Sequence, residues 1–488
     1  MAEVAPAYLG GTAVQTDSRP VYNPAHAHEI VGMAAHCGPG VVDQAVRAAR
    51  AAAAEWAAVL PRDRKRLMRE AAVAAMADFD ALTALLTREQ GKVLWESALD
   101  LAGAPYLLHE CSKLIERVVA EDVTENERGR FIVRRRPVGV VGVIVPWNYP
   151  VLLAFNGIAA ALAAGNTVVV KPPELAPMAL TKTVTAVAAA LPPGVLNVVP
   201  GDGAETGDAL AGHPLVRRVL FTGGVVSGRE VMRSAAQNIT GVGLELGGND
   251  PALVLSSAVV DDELVKALRH SAFTCSGQIC FAIKRIYVHR SHYRELVGAL
   301  EEAVNEIAVG DGLNPESTIG PLITQSARQR VQRLIDDAAD SGAAVRQLGR
   351  KVDPATWDEG HFLLPHIVSD IAQEAELVAA EQFGPALPIL PFDSEDEAIR
   401  MANDSEFGLA ASVWTQDDDH AFEVARQIEA GTVCVNVHRA GASDHTTPFG
   451  GVKQSGIGRI NGWASIEEVT DVQTLIRRDD AASLPGPH

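Results

Sequence analysis

The chain has 488 residues, of which 47% are hydrophobic and 21% charged. That composition excludes disorder over most of the length and leaves room for roughly three domains. The formal charge of −19 excludes a phosphate backbone as a natural partner, so no nucleic acid is expected.

Residues 1–40 read as loop and strand, with turns at Gly10-Gly11, Asn23-Pro24 and Pro39-Gly40. Residues 41–58 are Ala-rich and helical, and helical patterns continue through 62–120. Residues 131–136 alternate as a short strand, with Arg134, Arg135 and Arg136 read as a solvated face. Residues 137–170 carry no charge and superficially resemble a membrane span, but Pro146, Asn148, Pro150, Asn156 and Asn166 break them. They read better as a strand (138–145), a buried helix (151–164) and a second strand (167–170), which is a βαβ unit. No membrane is expected.

Short β-rich runs follow at 195–199, 219–222 and 252–255, then at 286–289, 387–390, 412–415 and 432–437. Helix-length segments separate them, which predicts a doubly wound α/β architecture. The tail from 479 reads as frayed.

The five cysteines, Cys37, Cys111, Cys275, Cys280 and Cys434, are too few for a disulfide scaffold. None forms a CxxC pair, so no metal is expected. The amino terminus lacks the basic and apolar regions of a signal peptide, so the expected compartment is the cytoplasm.

Five local patterns point to chemistry. Cys280 follows Gly277 in Phe-Thr-Cys-Ser-Gly-Gln-Ile-Cys, where residues 278–280 are expected to open a helix. A helix amino terminus lowers a thiol pKa and supplies amides to an oxyanion. The opposing reading is a buried structural cysteine, which suits Cys275 better. Glu245 stands between two leucines ahead of Gly247-Gly248, where desolvation would make it a general base. The alternative is a surface glutamate at a strand end. Asn148 ends an apolar strand, where its amide can serve an oxyanion or simply a turn. Lys171 and Glu174 follow the second strand, placed to hydrogen-bond ribose hydroxyls. A Glu there repels a 2′-phosphate. Phe221, Thr222, Gly223 and Gly224, with Gly228 beyond, follow a strand and open a helix, as a pyrophosphate requires. The spacing is not that of GxGxxG.

Together these patterns resemble the NAD(P)-dependent aldehyde dehydrogenase superfamily. Pro-Trp-Asn occurs at 146–148, Lys-Pro-x-Glu at 171–174, Phe-Thr-Gly at 221–223, Glu-Leu-Gly-Gly at 245–248 and Gly-Gln-x-Cys at 277–280. Glu-Gln-Phe-Gly-Pro at 381–385 and the glycine-rich run 448–459 complete the series. The resemblance implies a Rossmann-type cofactor domain (1–120 and 138–246), an α/β catalytic domain (247–445) and a β oligomerisation arm (121–137 and 465–480). The expected assembly is a homodimer or homotetramer. Catalysis would fall to Cys280, Glu245 and Asn148, acting on a small-molecule aldehyde. NAD, with NADP less favoured, would be held by Trp147, Lys171, Glu174, Gly203, Phe221, Thr222, Gly223, Gly224, Gly228, Leu246, Glu381 and Phe383.

Three departures from the family pattern stand out. Gly224-Val225 replaces a hydroxyl residue after Phe-Thr-Gly. Ile460-Asn461-Gly462-Trp463 follows Arg459 where relatives carry Glu, which puts a second, proton-relaying carboxylate in doubt. Phe155-Asn156 replaces Trp-Lys, with Phe155 expected to wall the substrate tunnel. Ile279 and Phe281 favour an apolar aldehyde. His438 and Arg439 suit a substrate carboxylate, or else are plain exposed loop residues. Alternatives are a CoA-acylating semialdehyde dehydrogenase, a Cys–His hydrolase using His270 or His289, and a non-enzymatic protein of the same fold.

Overall fold

The computed structural model describes residues 3–438 and 445–477. An antiparallel hairpin, β1 (Asp17–Asn23) and β2 (His26–His36), precedes four helices. These are α1 (Pro39–Ala58), α2 (Pro61–Ala74), α3 (Phe79–Gln90) and α4 (Leu94–Ser112). Strands β3 (Glu121–Asn126) and β4 (Gly129–Pro137) leave the body as a ribbon.

The expected βαβ unit is β5 (Val140–Ile144), α5 (Pro150–Ala164) and β6 (Thr167–Lys171). Both strands are buried throughout, which is why they read as unbroken β-branched runs. Pro150 opens α5, and Gly165 closes it at φ 93°. The helix is apolar on nearly every face because it lies in the core, not in a bilayer. Among the described residues no helix is long and apolar enough to cross a membrane. Helix α6 (Met178–Ala189), β7 (Leu196–Val198), β8 (Val216–Thr222), α7 (Val225–Ala236) and β9 (Gly241–Glu245) continue the series.

The chain then enters a second sheet through β10 (Asp250–Val254), α8 (Asp262–Phe273), β11 (Ile283–His289), β12 (His366–Ser369), β13 (Ala386–Phe392), β14 (Ala410–Trp414) and β15 (Thr432–Val435). It returns to the first with β16 (Gly456–Ile457), α9 (Gly462–Glu468) and β17 (Thr470–Arg477).

The first sheet runs β16-β9-β8-β5-β6-β7, then two short amino-terminal strands. Strands β9 through β7 are parallel. Strand order reverses between β5 and β8, the switch point where such sheets bind ligands. The second sheet runs β12-β13-β11-β10-β14-β15, with Ala344–Gln347 on its outer edge. The ribbon is β17-β4-β3.

The carboxyl-terminal boundary of the expected arm is corrected. Residues 465–469 belong to the body, because Ile466 and Val469 are fully buried in the core that holds α5. The arm strand starts at Thr470. Trp463, one of the departures, fastens arm to body. The Arg117 guanidinium lies 3.8 Å from its ring centroid and that of Arg135 lies 5.3 Å away. Arg135 also pairs with Glu467 (2.6 Å), so it is not on a wholly solvated face. Trp463→Ala removes both cation–π contacts, worth about 1–2 kcal/mol together. Hydrogen exchange in 129–137 and 470–477 should then quicken about tenfold while β5 to β9 are unchanged. Unchanged exchange in the arm would contradict this role.

Candidate active site

Five parallel strands end side by side along the first sheet, in the order Glu245, Thr222, Ile144, Lys171 and Val198. At about 4.8 Å per strand this row spans roughly 19 Å, enough for a dinucleotide. A cleft of about 230 Å³ opens at its β8–β5 end. Trp147, Asn148, Thr222, Gly223, Gly224, Leu246, Cys280, Glu381 and Phe383 all line it. Five of the seven motifs thus supply one surface.

The glycine turn follows β8, the fourth strand of the unit, and not β5. That placement accounts for the missing GxGxxG spacing. A Cβ on Gly223 would come within 2.5 Å of the Phe221 ring, so the turn must be glycine. Phe221 itself is buried beneath the turn and does not line the cleft. Gly228 is likewise covered, since a Cβ there would lie 2.8 Å from Leu246. Both residues lie beneath the turn that lines the cleft. Gly203 opens the turn after β7 and has open space where a side chain would be.

Cys280 does not open a helix; this expectation is overturned. Cys275, Ser276 and Gly277 are consecutive left-handed residues, at φ 52°, 57° and 74°. Residues 280–281 form a turn into β11. A left-handed turn of non-glycine residues costs about 1–2 kcal/mol each, so neighbours must impose it. Glu96 accepts from the Cys275 amide (2.6 Å), and Ser276 Oγ donates to Gly320 O (2.7 Å). Lys284 Nζ donates to Gly277 O (2.7 Å). The Gln278 side chain donates to Cys275 O (3.1 Å) and accepts from the Ile323 amide (3.0 Å). Gly277 is required, because a Cβ would stand 2.5 Å from Gly384 O. Cys275 is the buried structural thiol, as expected.

Asn148 is fixed from both sides. Its Nδ2 donates to Gln278 O (2.9 Å), and its Oδ1 accepts from the Tyr149 amide (3.0 Å). Its backbone carbonyl accepts from Lys92 Nζ (2.8 Å), which also pairs with Asp100 (2.7 Å). Lys92 and Asp100 are wholly buried, and Lys92 lies over the Tyr149 ring. Neither residue was legible as functional in the sequence. The signal present was an acid between two leucines, Leu99 and Leu101.

Desolvation, with Glu381, Asp250 and Glu245 nearby, pushes the Cys280 thiol up to about 12. Glu381 accepts from the Gly248 amide (3.1 Å), and burial raises its carboxyl despite Lys284. Phe383, at φ 51°, meets Trp147 edge-on at 5.7 Å.

Glu245 is 8% exposed and faces a separate cavity of about 30 Å³, the size of one water. Burial pushes its carboxyl well above the usual range; Arg459 opposes this and Glu468 adds to it. Asn156, Arg459 and Glu468 line the same cavity, and Asn156 Oδ1 is buried without a partner. A second carboxylate thus does reach Glu245, from Glu468 and not from the position after Arg459.

Two expectations for the substrate side change. Phe155 is fully buried in the core and walls no tunnel. His438 is buried, bonded to Ser412 Oγ (2.9 Å) and Phe281 O (2.8 Å), and pushed down to about 4 by burial. It is a neutral structural residue and not an anion receptor. Arg439 lies outside the described residues. His289 sits at the far end of β11, about 20 Å from the strand's start, so it cannot pair with Cys280.

The site fits a nicotinamide dinucleotide. It offers the backbone amide of Gly224, while that of Gly223 is held by Glu245 O (3.0 Å), and an aromatic pair, Trp147 and Phe383. It also offers a fixed carboxylate at Glu381 and a Lys-Glu pair two strands along. The aldehyde dehydrogenase family model matches residues 12–475. Geranial dehydrogenase of Castellaniella defragrans is 39% identical, covering 91% of this chain and 92% of its own. Mitochondrial succinate-semialdehyde dehydrogenase of Arabidopsis thaliana is 36% identical, covering 94% and 86%. Betaine aldehyde dehydrogenase of Staphylococcus aureus, solved with NAD+, superposes with TM-score 0.92 at 31% identity, covering 98% and 95%. The chain belongs to the aldehyde dehydrogenase family and is an NAD-dependent oxidoreductase of aldehydes.

Proposed function

We propose that the chain oxidises an apolar aldehyde to its carboxylic acid with NAD, without coenzyme A. The observation that carries this is the Asn148–Gln278 hydrogen bond, which sets an amide beside the Cys280 loop at the cofactor cleft.

Cys280 gives its thiol proton to water in the cleft as Sγ bonds to the aldehyde carbon and the C=O π pair moves to oxygen. The second N–H of Asn148 and the Cys280 amide receive the oxyanion. NAD, when bound, accepts the hydride from the substrate carbon. Lys171 and Glu174 hold its adenosine ribose, and Glu381 and Phe383 position its nicotinamide end. The thioester left on Cys280 is hydrolysed by water that Glu245 deprotonates. The small cavity gives Glu245 an exit for that proton, through one water to Glu468, whose side chain is 24% exposed. A buried base at this position argues for water over coenzyme A as the acyl acceptor.

The apolar preference rests on Tyr149, Ile279, Leu152, Leu153 and Phe281, which cluster around the nucleophile's loop. Phe281 meets Phe449 edge-on at 6.2 Å. Removal of His438 as an anion receptor weakens the semialdehyde reading. The arm has two free edges, β17 and β3, with Val472 60% and Ile476 66% exposed. Such edges pair with a second copy, which supports a homodimer or homotetramer in the cytoplasm.

Three outcomes are expected. Cys280→Ala should abolish NADH formation while NAD affinity stays within threefold; retained turnover would sink the assignment. Glu245→Gln should release about one NADH per site in a burst and then stall at least 100-fold below the normal rate, because acylation proceeds and hydrolysis does not. A slow phase without a burst would move Glu245 to the first half-reaction. In the cofactor-free protein, iodoacetamide labelling of Cys280 should rise about tenfold per pH unit from 7 to 9, since the thiol titrates near 12. A plateau below pH 8 would mean a thiolate is already present.

A further inference from the structure

The carboxyl ends of β6 and β7 carry a charged cluster of which the mechanism above uses only Lys171 and Glu174. Arg19, from β1, places Nη1 3.8 Å from Glu174 and 3.3 Å from Asp202. Its Nη2 donates to His36 Nε2 at 2.9 Å. His36 lies 3.4 Å from Glu205 and 3.8 Å from Asp202. Lys171 is buried beneath, donating to Pro172 O at 3.0 Å and passing beside Gly207. Two carboxylates therefore flank one half-exposed guanidinium, and a third, Glu205, joins the cluster through His36. The guanidinium lies against Asp202 and His36, so it disfavours a cation there.

Resting on the ribose reading of Lys171 and Glu174, we propose that Arg19 sets how far the adenosine end tolerates a 2′-phosphate. Three carboxylates repel a phosphate dianion, which explains a preference for NAD. Arg19 is tied to Glu174 and to Asp202 by one contact each, and exposed single contacts of this kind are weak. Its planar fork is therefore available to a phosphate, which it matches better than it matches two separate acids. With NAD, Arg19 stays on Glu174 and Asp202, while Glu174 accepts from the ribose hydroxyl. With a 2′-phosphate, Arg19 turns to the phosphate and offsets the repulsion. The hairpin at the start of the chain thus edits a site built by strands more than 100 residues later.

The test is binding without aldehyde, by calorimetry with NAD, NADP, AMP and adenosine 2′,5′-bisphosphate. Arg19→Ala should weaken both 2′-phosphate ligands about tenfold, the worth of one charge-assisted hydrogen bond. NAD and AMP should change less than threefold. Arg19→Lys should fall between, because it keeps the charge and loses the fork. Glu174→Gln should tighten the 2′-phosphate ligands, and adding Arg19→Ala should cancel that gain. Equal weakening of all four ligands, or none, in Arg19→Ala would overturn the proposal. If Glu174→Gln also left every affinity unchanged, the ribose reading itself would fall, which separates the two failures.

Discussion

The site depends on one short crossing. Glu245 is the last residue of β9 and Asp250 the first of β10, so the chain passes between sheets in the four residues from Leu246 to Asn249. No longer connection separates the two sheets at this point. The carboxyl ends of the first sheet therefore face the amino ends of the second. The crossing is tied laterally as well. Gly248 donates to Glu381, and Asn249 Nδ2 donates to Val378 O (2.8 Å) and Ala379 O (3.1 Å). These bonds fix the segment that carries Glu381 and Phe383. The nucleophile comes from the amino end of β11, the oxyanion amide from the turn after β5 and the base from β9. The end-to-end arrangement of sheets brings the first two to one cleft and leaves the third beside it, with Glu245 turned into the adjoining small cavity.

Charges buried beneath the site hold its loops at a cost in solvation. Lys92 and Asp100 lose water completely. Replacing such a pair by apolar residues is often neutral for stability, whereas removing one partner costs about 3–5 kcal/mol. Their worth here is positional. Lys92, just ahead of α4 and paired with Asp100 on it, reaches the Asn148 carbonyl, and Glu96, one turn before Asp100 on α4, accepts from the Cys275 amide. One helix thus registers both the oxyanion amide and the nucleophile's loop. The left-handed turn at 275–277 stores strain that this network maintains, and the result is a preorganised site.

The sequence made much of this legible, for identifiable reasons. Strands buried on both faces read as β-branched runs, so β5, β6, β8 and β10 lay close to their expected positions. Motif residues whose chemistry needs a fixed backbone stood beside glycines and prolines, and they converge on the cleft. Other features depended on contacts between distant segments. Gln278 to Cys280 had the composition of a helix start, but Glu96, Gly320 and Gly384 force a left-handed turn just before it. His438 and Phe155 read as site residues because nothing local reveals the packing that buries them. Lys92 carried no local signal, since its partners lie 8 and 56 residues away. The sequence put a second carboxylate near Glu245 in doubt, and Glu468 is visible there only once α9 folds back on the cavity.

The most direct measurement is NADH absorbance with purified wild-type protein, NAD and a panel of aliphatic, aromatic and carboxylate-bearing aldehydes, with and without coenzyme A. The account predicts steady turnover without coenzyme A, fastest for the apolar aldehydes, with the free acid as product. NADH that forms only when coenzyme A is supplied would contradict the hydrolytic role of Glu245. No NADH from any aldehyde, in protein that binds NAD, would contradict the chemistry assigned to Cys280.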